Sequence, residues 1–192
     1  MGILVIGLLI FLGVHSIRIF ADPWRSALIA RLGERPWKGL YSIASIVGFV
    51  LIVWGYGIAR REPVVVWAPP AGIQHLTILL VAIAFVLITA AYVPGNRIKR
   101  ALGHPMAAGV ALWAFGHLIA NGTANAELLF AAFLVWSVAS FLAGRRRDAV
   151  AGTTYPAGTV GRDVRVVVGG LVVWAVFGLF LHGWLIGVRP MG

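Results

Sequence analysis

The sequence has no cysteine. Disulfides, thiolate metal sites and cysteine nucleophiles are therefore excluded. Acidic residues are also scarce: six Asp and Glu in 192 residues, against sixteen Lys and Arg and a net charge of +10. Asp22, Glu34, Glu62, Glu127, Asp148 and Asp163 all fall in or beside the connections between apolar runs. No carboxylate is left inside a run for a proton relay, an ion site or two-metal hydrolysis. This argues against a cation-coupled transporter. A strongly basic chain suggests nucleic acid first. Here the basic residues separate apolar segments, which is the membrane pattern, so nucleic acid is not an expected partner.

Apolar side chains are abundant. They make up 60% of the chain, with a mean hydropathy of +0.94, which excludes an ordinary soluble domain. The expected fold is all-α: one transmembrane helical domain over residues 1–192, with membrane lipid as its surroundings. A helix needs about 20 apolar residues to cross the hydrocarbon core. Runs of that kind lie at about 2–20, 39–59, 72–93, 103–122, 126–143 and 165–187, which gives about six spans. The first run lacks a basic leader and a small-residue cleavage site, so it reads as a retained span. Pro69-Pro70 and Pro94-Gly95 bracket the third run. The fourth opens at His104-Pro105, and residues 121–125 tie it to the fifth as a tight hairpin.

Lys and Arg set the orientation. Arg18, Arg25, Arg31, Arg35 and Lys38 follow the first run; Arg97, Lys99 and Arg100 follow the third; Arg145, Arg146, Arg147, Arg162 and Arg165 follow the fifth. The opposite side has only Arg60, Arg61 and Arg189. The basic connections belong inside, which places both termini outside. Trp54 and Trp113 are too deep for an interfacial belt and read as lining an interior.

The histidines carry the functional signal. His15, His117 and His182 sit inside apolar runs, where a polar ring is costly without a partner. Each could be satisfied by a neighbouring carbonyl or hydroxyl, or could ligate a metal or haem. Beside His15, Gly13 would leave room for a flat macrocycle. Arg18, three residues on, either meets a carboxylate or extends to the interface. His104 reads as a helix cap facing water and His75 as an interfacial residue. Gly183 and Gly187 form a small-xxx-small pair suited to a helix contact, and so to a membrane protein partner. Imidazole without carboxylate or thiolate suits haem iron. The segment from Asp148 to Asp163 reads as a linker rather than a lid.

The pieces His15-Ser16-Ile17-Arg18, Gly103-His104-Pro105 and Trp113-Ala114-Phe115-Gly116-His117-Leu118-Ile119-Ala120-Asn121-Gly122 together resemble the NnrU family of bacterial membrane proteins. They are also similar to the plant and cyanobacterial 15-cis-zeta-carotene isomerase. The resemblance covers nearly the whole chain. It implies a multi-pass protein of the bacterial inner (plasma) membrane that carries haem b, with His15 and His117 as the axial metal ligands. His104 and His182 stand as substitutes, and Arg18 as a cofactor contact. It implies two uses of such a centre. One is redox-gated cis-trans isomerisation of a polyene. The other is a non-enzymatic haem-binding accessory or sensor role linked to denitrification, with a small gaseous ligand. A bundle with no cofactor is the third reading. The expected topology sets His15 and His117 roughly 15 Å apart in depth, at 1.5 Å per residue.

Overall fold

The computed structural model describes residues 1–190 and is built almost wholly of helix. The order is α1 (Gly2–Phe20), α2 (Asp22–Leu32), α3 (Glu34–Ala59), α4 (Ile73–Tyr92), α5 (Arg97–Leu102), α6 (Pro105–Ala120), α7 (Ala124–Ala151), α8 (Val160–Val176), a π-helical turn (Phe177–Leu181) and α9 (His182–Ile186). Five helical stretches are long and apolar enough to cross a membrane: α1, α3, α4, α7 and the run Val160–Ile186. The sixth expected span, α6, has 16 residues. That is about 24 Å at 1.5 Å per residue, short of the roughly 30 Å hydrocarbon core.

Several boundaries differ from the sequence expectation, among them the start of α8, at Val160 rather than 165. The fifth span does not stop near 143, because α7 continues through Arg145, Arg146, Arg147 and Asp148 to Ala151. Helix α3 begins five residues earlier than expected, at Glu34. The basic connections also contain short helices of their own, α2 and α5. Asn96 caps α5: its side chain accepts from the Lys99 amide and donates to the Ala90 and Val93 carbonyls. Hydropathy cannot see such elements, because they are too short and too polar to read as spans.

Neighbouring helices follow the order α3, α1, α7, α6, α4, α8, and only α3 also brushes α7 across this row. Lipid tails are as apolar as leucine, so close packing rather than hydrophobic burial must hold such helices together. Small residues provide it. A Cβ on Gly7 or Gly55 would run into the facing backbone of α3 or α1, and one on Gly109 or Gly170 into α4. The buried core is Leu4 and Leu8 of α1 with Ile52 of α3, joined by Phe133 and its neighbours on α7. Large apolar side chains such as Leu9, Phe49, Val135 and Phe180 point outward, as a lipid-facing surface requires. Trp54 is among them, 58% exposed, so it faces lipid and lines no interior.

The two ends of the bundle are tied separately. At the outer end the 60–72 connection crosses the α6–α7 hairpin. There the Val66 amide donates to the Gly122 carbonyl, the Ala124 amide to the Val64 carbonyl, and the Trp67 indole to Glu127. At the inner end Arg97 pairs with Asp163, and His104 with Asp148. Both ends of the described chain lie at the same end of the bundle, the one that the charge pattern assigns to the outside. Gly187 terminates α9 at φ +76, and a Cβ on Gly183 would meet the chain's own Arg189. Gly187 thus serves a left-handed helix end, and Gly183 lies against the Arg189 side chain.

Candidate functional site

Helix α7 forms the floor of the site. Phe130, Phe133 and Trp136 recur every three residues, each about 60° round the helix from the last, so they form a row that winds across about 120° of α7. Two helices that do not approach each other, α1 and α6, both lie against that row. Each brings one histidine to it.

From α1, His15 is half-buried and stacks on Phe11 with ring centroids 4.2 Å apart. Tyr41 of α3 stands 5.2 Å away, and Trp136 meets the ring edge-on at 5.9 Å. From α6, His117 is also half-buried, stacks on Phe130 at 4.7 Å, and has Trp113 at 5.2 Å. Phe133 joins the two groups, 5.9 Å from Phe11 and 5.7 Å from Trp113. The imidazoles therefore stand at the two ends of a continuous aromatic row. On α7, His117 sits at the level of Phe130 and His15 at the level of Trp136. Six residues at 1.5 Å make about 9 Å, well under the 15 Å expected from span positions. The unequal spans account for the difference, because α6 is short and depth cannot be counted from its ends.

Both rings are anchored in the same way. Nδ1 of His15 bonds the Phe11 carbonyl at 2.7 Å, and Nδ1 of His117 bonds the Trp113 carbonyl at 2.9 Å. Each is the carbonyl four residues back, so each ring is oriented by its own helix and Nε2 is left open to a ligand. One buried donor nearby is unsatisfied: the indole Nε1 of Trp136 has no hydrogen-bond partner. An orphan of this kind is unusual in a folded chain, because each buried group without a partner forfeits its hydration.

The motif around His117 has a local explanation. Gly116 lets α6 approach Leu80 and Thr77 of α4, and the Thr77 hydroxyl donates to the Gly116 carbonyl at 2.9 Å. Asn121 donates to the His117 carbonyl at 2.7 Å and closes the helix end. Gly122 lies directly under the Trp67 carbonyl, where any Cβ would collide.

Of the other expected residues, His104 and Arg18 lie elsewhere, while His182 lies near enough to His117 for the two charges to interact. His104 is the N-cap residue of α6, as expected, but it does not face open water. Its Nε2 lies 3.0 Å from Asp148 Oδ2, and its ring packs where a Gly144 Cβ would otherwise stand. Tyr155 donates to the same carboxylate oxygen at 2.7 Å. That hydroxyl, with His104 and Arg145 adding to it, holds the Asp148 carboxyl below its ordinary value, while burial and the carboxylate push the Tyr155 phenol up. The Nε2 of His104 is thus already engaged. His182 follows the π-helical turn, bonds the Val188 carbonyl through Nδ1 and lies against Phe177. Arg18 is exposed and forms no ion pair among the described residues; its carbonyl accepts from the Arg147 guanidinium at 3.3 Å. Gly13 is exposed, and a Cβ there would meet nothing within 4 Å, so the space beside it is open. Trp136 and the Asp148–Tyr155 contact were not singled out from sequence. The signal for Asp148 was a lone carboxylate after three arginines; for Trp136 it was the three-residue spacing from Phe133.

A groove of about 440 Å³ opens between α4, α6 and α7, lined by Leu87, Ala111, Leu112, Phe115, Leu134 and Phe141 among others. At 100° per residue, Ala111 and Phe115 lie on the opposite side of α6 from Trp113 and His117. The groove and the histidines therefore occupy different faces.

No curated protein and no solved structure matches the chain. The family model described as NnrU protein matches residues 3–190, so this membrane protein belongs to the NnrU family.

Proposed function

We propose that the chain is an integral membrane haem b protein of the bacterial inner membrane, in which His15 and His117 are the residues that would hold the haem iron. The observation that carries this reading is the matched state of the two imidazoles. Each commits Nδ1 to its own helix, each leaves Nε2 without a partner, and the two stand at opposite ends of one aromatic row along α7. A ligating histidine is generally held in this way, with the second nitrogen fixing tautomer and ring plane.

The donor set fits haem better than a bare ion. No group of three or more His, Cys, Asp or Glu is assembled among the described residues, so an ion would lack a first coordination sphere. A porphyrin brings four donors of its own and needs only axial ones. Bound there, haem b supplies a redox-active iron in a medium of low polarity. The chain's part is to bind, orient and exclude water. His15 and His117 hold and orient; Phe11, Trp113, Phe130 and Phe133 keep water out; Arg18, one turn below His15, is placed to meet a carboxylate.

Such a centre has two proposed uses: isomerisation of a polyene that reaches it from the lipid, and a non-enzymatic one. In that reading the chain is an accessory or sensor protein linked to denitrification, which takes a small gaseous ligand or passes electrons to a membrane partner.

The test is the absorption spectrum of detergent-purified protein from haem-replete cells, oxidised and then dithionite-reduced, with a pyridine haemochrome assay. A Soret band, split reduced bands and about one haem b per chain are expected. A featureless spectrum overturns the reading. Incubation with a cis-polyene then separates the two uses, since only an isomerase converts it without a partner.

A further inference from the structure

The unpartnered Trp136 indole points to a feature of the ligand itself. Nε1 is shielded from solvent and has no acceptor, although the ring is wedged beside His15. A donor in that position is satisfied only by something the protein does not supply. The inference rests on the haem reading. Around the edge of haem b are methyl groups, vinyl groups and two propionates, and of these only the propionates are strong hydrogen-bond acceptors.

We infer that Trp136 donates its indole N–H to a haem propionate, and that Arg18 and Arg147 supply the matching positive charge. Arg147 is eleven residues beyond Trp136 on α7, within about 20° of the same face at 100° per residue. Its guanidinium reaches the Arg18 carbonyl and so brings both arginines to the inner end of the α1–α7 seam. Neither forms an ion pair with any carboxylate among the described residues. The seam thus offers a neutral donor beside His15 and two uncompensated cations toward the inner surface. A macrocycle oriented by this seam turns its carboxylates inward and its hydrocarbon edge toward lipid. Propionates turned the other way would leave the indole unsatisfied and place anions in hydrocarbon.

The experiment is a titration of detergent-purified apo-protein with haem b and with its dimethyl ester, whose propionates carry no charge. The wild type should bind haem b more tightly than the ester. Trp136→Phe keeps the ring and removes the donor; it should still bind haem b and close about tenfold of that gap, as expected for one charge-assisted hydrogen bond. It should also shift the reduction potential. Arg147→Gln should close part of the gap with the ring intact. A gap and a potential unchanged by Trp136→Phe overturn the inference while leaving the haem reading in place. A wild type that takes up neither compound overturns both. If Trp136→Phe does not fold, the gap in Arg147→Gln decides.

Discussion

Helix α7 carries two histidine environments, and they are opposite in kind. In its membrane-embedded half, aromatic side chains receive His15 and His117, whose Nε2 atoms are left open. At its inner end, Asp148 engages the Nε2 of His104 and shares its carboxylate with Tyr155. The residue type is the same in both places, and the partner decides its role. Where no carboxylate is within reach, imidazole turns to its own backbone and stays available. Where one is present, it becomes a structural tie between the α6 N-terminus and α7.

The sharpest way to break this comparison is to remove the rings one at a time. His15→Ala and His117→Ala should each lose most of the haem from a protein that still inserts, whereas His104→Ala should retain it. The pyridine haemochrome yield per chain decides. Full retention in both of the first two variants would remove the axial assignment, and loss in the third would move the site to the inner end.

Packing around the site should show the next largest effect. Gly55→Val would drive a side chain into the Leu4 backbone and split α1 from α3, costing roughly 1–3 kcal/mol. Haem loss should follow, because α3 holds Tyr41 against His15. A reversible unfolding series in mixed detergent measures the stability change. Thr77→Val is expected to be milder, about 1 kcal/mol, because it removes one hydrogen bond between α4 and the residue before His117.

The inner tie should respond to pH in a definite direction. Asp148 has a native value below its unfolded one, because Tyr155 and His104 hydrogen-bond its charged form. Its contribution is therefore present above the ordinary carboxylate value and is lost as pH falls through the lowered native value. Asp148→Asn should remove that acid dependence and speed amide exchange in residues 152–159, with haem content unchanged. Unaltered exchange there would show that the tie does not hold the segment. The smallest effect expected is from His75→Ala at the exposed outer start of α4: no change in haem, and stability within about 0.5 kcal/mol.

Much of the fold could be read from the chain, for a specific reason. Backbone groups have no water to bond in hydrocarbon, so an apolar run of sufficient length is forced into helix. Lys and Arg then fix which end faces which side. That is why α1 and α4 match their expected limits within a residue. The same logic fails at α7, which continues past the apolar run because charged residues at an inner end are good helix formers in water. It also fails for α2 and α5, which are too short and too polar to register.

The candidate site was legible only as a set of residue types. His15 and His117 stood out because imidazole in hydrocarbon demands an explanation. That their rings are anchored alike, that His104 is engaged by a carboxylate 44 residues away, and that Trp136 is left without a partner all depend on which helices touch. The bilayer dictates spans and orientation through composition alone. The order of neighbours around α7 is set by where glycines permit close approach and where aromatic side chains interlock. Those contacts join residues distant in the chain, so only the tertiary structure decided them.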